Sequence, residues 1–126
     1  MIKLEPPDLD ASQVFAQCIS RVRNPALKAR LESIEPHITQ ASDTFSDLAT
    51  QVRLHEFVRE NVVGGVVTTA EMEAVYSQRM VPKTAPGRAT YDKLMSLARS
   101  GKCPLCAHRD ASTLDHHLPK AHYPVL

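Results

Sequence analysis

The sequence predicts a mainly α-helical chain whose last part is a small metal-bound element, and three observations carry that prediction. Apolar residues recur at helical spacing across most of residues 11–98. Asp, Asn and Thr residues suited to helix caps stand in front of several of these stretches. The final quarter then changes character, because two of the three cysteines and four of the six histidines fall within it. The organisation that follows is an extended leader over 1–10, a helical domain over 11–98 and a ligand-bearing segment over 99–126.

Glu5-Pro-Pro-Asp-Leu-Asp10 reads as the leader, with Asp10 as the cap of a first helix and Gln13 three residues on. Val14, Phe15, Cys18, Ile19 and Val22 share one face of that helix, which makes Cys18 a small core residue and not a reactive thiol. Asn24-Pro25 starts a second helix, since Asn caps and Pro suits the first helical position. From there Leu27, Leu31, Ile34, Ile38, Ala41, Phe45, Leu48 and Val52 recur at steps of four and three. That is the seam of a helix packed on a partner, read here as within the same chain, with a dimer seam as the minor option. Pro36 removes a backbone bond inside the seam and predicts a kink or break near Glu35. His37 and His55 are isolated polar residues with no functional reading.

Val62-Val63-Gly64-Gly65-Val66-Val67 is compatible with a tight hairpin or a flexible loop. Thr68-x-x-Glu71 is a capping box, so a helix bearing Met72, Val75, Tyr76 and Met80 starts there and stops before Val81-Pro82. Lys83 to Arg88 forms a turn, and Tyr91, Leu94, Leu97 and Ala98 mark a last helix that ends around Ser100-Gly101.

Composition narrows the class. A length of 126 residues, 43% hydrophobic and 5% aromatic content with no Trp, describes one modest aliphatic core. No apolar run approaches the roughly 18 residues of a membrane span, and the N-terminus lacks a signal-peptide plan, so the expectation is a cytoplasmic protein with no membrane partner. An odd number of cysteines argues against a disulfide framework. Residues 1–78 carry 7 Lys/Arg against 11 Asp/Glu, whereas residues 79–126 carry 8 against 3. A split of that kind suits a chain whose basic end approaches a polyanion such as DNA, although a solvated basic face gives the same balance.

Cys103-Pro104-Leu105-Cys106 is a tight Cys-x2-Cys turn, a spacing that lets two thiolates reach one tetrahedral ion. It is followed by Leu114-Asp115-His116-His117-Leu118-Pro119-Lys120 and Tyr123-Pro124. Over roughly 25 residues this resembles the bacterial HNH endonucleases whose core reads Cys-Pro-x-Cys, a spacer and Leu-Asp-His-x-Leu-Pro-Lys, a specific combination of motifs. A weaker similarity extends to Tyr76-Ser-Gln-Arg79-Met80 and the Pro86-Gly87-Arg88 turn. The resemblance implies metal-dependent DNA cleavage. The fold it implies for 99–126 is an incomplete ββα-metal element, with Ser112-Thr113-Leu114 as a strand ending in Asp115-His116.

In that reading Asp115 is a hard oxygen ligand for Mg or Mn, and His116 is the general base, its ordinary pKa suiting neutral pH. Cys103 and Cys106 clamp a structural zinc that staples a fold too small to hold itself. Lys120, Arg109 and Lys102 are the candidate DNA contacts, and Lys120 is equally readable as a solvated lysine. The family pattern continues with a second strand carrying Asn, another Cys-x2-Cys and a helix with the last ligand. The sequence is therefore expected to be an N-terminal portion that does not cleave alone, its site completed by a further segment or a second chain.

His117 stands where relatives usually carry an aromatic residue, and it opens an alternative. Cys103-x2-Cys106-x10-His117-x4-His122 is close to two-Cys, two-His finger spacing, which would make a small zinc-binding interaction module without catalysis. Pro119 between the histidines and the absence of the usual apolar residues speak against it. A helical interaction protein with a vestigial tail is the third class.

Overall fold

The computed structural model describes residues 3–126, and the chain they form is mostly helical with little strand. Five α-helices run in order: α1 Ala11–Ile19, α2 Pro25–Ser33, α3 Glu35–Thr50, α4 Thr69–Arg79 and α5 Arg88–Ser96. A two-stranded antiparallel hairpin, β1 Val62–Val63 and β2 Val67–Thr68, lies between α3 and α4.

Local chemistry sets the helix starts. The Asp10 carboxylate accepts from the Gln13 amide, and the Asn24 side chain accepts from the Leu27 amide. Pro25 and Pro36 each sit in a first turn, where a missing N–H costs nothing. The expected break falls at Ile34, which joins α2 to α3 and is itself fully buried. At α4 the Thr68 hydroxyl accepts from the Glu71 amide while Glu71 accepts from the Thr68 amide, so the box is complete. Arg30 of α2 grips the same Glu71 carboxylate through both terminal nitrogens at 2.8 Å and holds it down to a pKa of about 2. One carboxylate thus ties α2 to the start of α4.

The seam packs as expected up to Leu48. Leu31, Ile34, Ile38 and Ala41 are buried with Phe15 and Ile19 of α1, and Val63 and Val67 close the same core from the hairpin. Cys18 of α1 is buried as well, and burial pushes its thiol up. Val52, read as the end of the seam, instead lies beyond α3 with φ 59° and is 85% exposed. Four residues past the last packed apolar residue, Leu48, the chain turns through a left-handed position that terminates the helix, leaving the Val52 side chain no face to cover.

Val62 to Val67 resolve as a hairpin, with Val62 opposite Thr68, Val63 opposite Val67, and Gly64 and Gly65 both at positive φ. Gly87 serves a different need. A Cβ there would stand 2.5 Å from the Cys18 sulfur and 2.9 Å from the Arg79 carbonyl, so only glycine lets the start of α5 lie against α1 and the end of α4. The last helix stops at Ser96, earlier than its apolar spacing predicts, and a 3-10 turn over Arg99–Gly101 follows with Ser100 at φ 52°.

The tail belongs to the same core. Tyr123 and Val125 are buried, and Phe45, Phe57 and Tyr123 meet edge to face with centroids 6.4 and 5.8 Å apart in sequence order. Residues 112–114 form no strand. They take no ladder partner among the described residues, and an extended segment without a partner is not a sheet. No helix of the described residues is long and apolar enough to cross a membrane.

Candidate active site and cysteine knuckle

The left-handed Ser100 reverses the chain after α5 and delivers it into a tight loop. Lys102 bridges Asp110, the Cys103 amide donates to the Arg109 carbonyl at 2.8 Å, and the Ala111 amide donates to the Gly101 carbonyl at 2.8 Å. Inside this frame the Ala107 amide donates to the Cys103 carbonyl, and Ala107 takes φ 61° to close the turn. The two thiols face each other across it. The amides of Arg109 and His108 point at the Cys106 sulfur and hold its thiol below the usual range, with a smaller contribution from Cys103. Cys106 is exposed and Cys103 half-buried. A Cys-x2-Cys pair near the surface, with the Cys106 thiol held towards its thiolate, is a fit donor set for half of a soft-metal site.

Asp115 and His116 follow in an irregular stretch, with one Asp115 oxygen accepting from the His116 amide at 2.8 Å and the other taking no hydrogen bond among the described residues. The His116 imidazole is half-buried. Its ring meets Tyr76 of α4 edge to face, centroids 4.9 Å apart at 78°. The Lys120 ammonium lies 5.0 Å from the centroid of that Tyr76 ring. Burial and then the Lys120 charge lower the His116 pKa, while Asp115 opposes them. The net direction leaves His116 neutral, a proton acceptor, at neutral pH.

These residues stand at the rim of an open cleft of about 460 Å³. Its floor is apolar, with Phe15 of α1, Phe45 of α3 and Val75 of α4, while Leu114, Leu118 and Val125 wall it from the tail. Asp115, His116 and Lys120 all line it. The arrangement can present a carboxylate, a neutral base and a cation to one ligand.

The other candidate ligands are not gathered. Among the described residues no group of three or more His, Cys, Asp or Glu side chains is placed to hold a metal ion, and His117 and His122 are not grouped with the two cysteines. His117 lines the cleft, and the exposed His122 is fixed by its backbone, whose carbonyl accepts from the Glu60 amide at 3.2 Å. Pro119 keeps this stretch out of a helix; instead its carbonyl accepts the His122 and Tyr123 amides in a turn. Of the candidate DNA contacts, Lys102 is paired with Asp110 at 2.6 Å, Arg109 is exposed, and Lys120 is held on the aromatic ring. Sequence reasoning placed Tyr76 on its helix but missed its contact with His116, since nothing local links residues 40 positions apart in the chain.

No family model matches the chain, and no solved structure matches it. The chain is similar to protein ea31 of Escherichia phage lambda, with 33% identity over 78 residues, 61% of this chain. The matched stretch spans about a quarter of the length of that relative, 26%.

Proposed function

We propose that the chain carries the catalytic pair of an HNH-type, metal-dependent DNA endonuclease, with His116 as general base and Asp115 as ligand of a divalent ion. The observation that carries this reading is the convergence of Asp115, a neutral His116 and Lys120 on the rim of one cleft. A phosphodiester needs a proton removed from the attacking water and charge absorbed on the phosphate. His116 takes the proton, and Lys120 offers its ammonium to the phosphate. The second Asp115 oxygen fits Mg or Mn, and such an ion supplies Lewis-acid stabilisation of the phosphate when bound. Cys103 and Cys106 fit zinc as half of a tetrahedral set and serve structure, not chemistry.

One carboxylate cannot fix a hard ion opposite a base within the roughly half-ångström tolerance that catalysis asks. Cleavage at a useful rate therefore needs further ligands, from a second chain or a further segment. The basic residues of 79–126 still give weak, salt-sensitive DNA binding, because phosphate contacts do not depend on a complete ion site.

The test is plasmid nicking in Mg or Mn by the 126-residue chain, by a longer form carrying the completing ligands, and by His116→Ala of each. The longer form should nick in a His116-dependent way and the short chain only feebly. Robust nicking that survives His116→Ala sinks the assignment.

A further inference from the structure

The nuclease reading uses Asp115, His116, Lys120 and the two cysteines, and it leaves Tyr76 without a role. Tyr76 nonetheless is the aromatic residue that, among the described residues, packs against the site. Its ring meets the His116 imidazole edge to face at 4.9 Å, and the Lys120 ammonium lies 5.0 Å from its centroid. The base and the phosphate-binding cation thus rest on a single ring.

That ring is far better anchored than the groups it touches. Asp115 to Lys120 lie in irregular chain, where neither ladder nor helix restrains the backbone. Lys120 has four rotatable side-chain bonds and His116 two, so both lose rotamer freedom when ordered. Tyr76 sits on α4, whose first turn is closed by the Thr68–Glu71 box and the Arg30 grip, and whose Met72 is buried in the core. The phenol hydroxyl takes part in no hydrogen bond among the described residues, and its pKa is raised first by burial. What Tyr76 offers the site is a ring face and edge, not a proton.

We propose that Tyr76 is the positioning residue of the Asp115–His116 site, its ring fixing the direction of the His116 imidazole and the Lys120 ammonium together. The catalytic meaning of that positioning rests on the nuclease reading; the positional claim itself rests on the geometry. It follows that the helical part of the chain is a component of the site, with α4 as the fixed wall against which the tail is set.

The positional claim is tested in the 126-residue chain by the rate at which diethyl pyrocarbonate modifies His116, followed by peptide mass spectrometry with exposed His55 as internal reference. Tyr76→Phe, which keeps the ring and removes the hydroxyl, should leave the His116 rate unchanged. Tyr76→Leu should raise it on the order of fivefold, the population shift expected when one edge-to-face contact is lost. Equal His116 rates in all three proteins overturn the proposal, as does a rise in Tyr76→Phe as large as in Tyr76→Leu. A wild-type nuclear Overhauser spectrum decides the matter should Tyr76→Leu not fold: cross-peaks between the Tyr76 and His116 rings support the proposal, and their absence overturns it. Failure of the nuclease reading shows elsewhere, as DNA nicking that ignores His116, so the two failures are told apart.

Discussion

The helical body and the ligand-bearing tail are held by different forces. In the body, burial dominates: Leu31, Ile34, Val63 and Val67 are each under 2% exposed or at that limit, drawn from α2, the α2–α3 junction and the hairpin. Between 99 and 122 almost nothing is buried, and order comes from the loop's few backbone hydrogen bonds, left-handed turns and the ring of Tyr76. The body is thus a scaffold whose shape follows from its apolar pattern, while the tail is a set of polar groups placed by backbone geometry and by contact with that scaffold. The candidate site residues sit where the restraint is lightest, as is common for loops on a rigid support.

Substitutions can break this contrast, and the largest effect belongs to the core. Leu31→Ala, at 1% exposure, should lower unfolding free energy by about 2–5 kcal/mol in urea denaturation. A loss below about 1 kcal/mol would mean that the seam does not dominate the body. Gly87→Ala comes next, at about 1–3 kcal/mol, because its Cβ must displace the Cys18 sulfur or the Arg79 carbonyl. A thermal melt that does not move would place α5 differently from the structure.

Thr68→Ala removes one hydrogen bond of the capping box and should cost about 1 kcal/mol, read from the same denaturation. On the tail side, replacing Cys103 and Cys106 by Ser should abolish zinc uptake in metal analysis yet shift the stability of the metal-free chain by less than about 0.5 kcal/mol. A large loss in the metal-free protein would show that the knuckle supports the body after all.

The subtlest test is pH. Glu71 has a folded pKa of about 2, below its unfolded value near 4.5, so its contribution is complete above the unfolded value and is lost as pH falls through the folded one. Wild type and Glu71→Gln should therefore differ most above pH 4.5 and converge towards pH 2. A gap that widens on acidification would reverse the assignment.

The same contrast explains what the sequence disclosed. The Asp10, Asn24 and Thr68 caps, the break before Pro36 and the burial of Cys18 were all readable, because each depends on neighbours within a few residues or on helical period. Val52 defied its spacing because a helix end is decided by a backbone reversal that apolar period does not encode. Ser112 to Leu114 carried strand-like residues but found no partner to pair with, and pairing is a property of two segments. At the candidate site, residue types and the Cys-x2-Cys turn were legible, while the Tyr76 platform, the convergence on one cleft and the absence, among the described residues, of a grouping of His117 and His122 with the cysteines required the folded chain.

The insertion of Tyr123 among Phe57 and Phe45 has a consequence in time as well as in space. Arg59 and Tyr123, joined at 3.3 Å, are 64 residues apart, whereas the helices and the valine hairpin need only neighbours to form. Closing so long a loop carries an entropic cost that local turns avoid, and contacts of high sequence separation slow folding. The cleft, walled on one side by the segment that Tyr123 pins, therefore depends on contacts that carry a larger loop-closure cost than those of the helices and the hairpin.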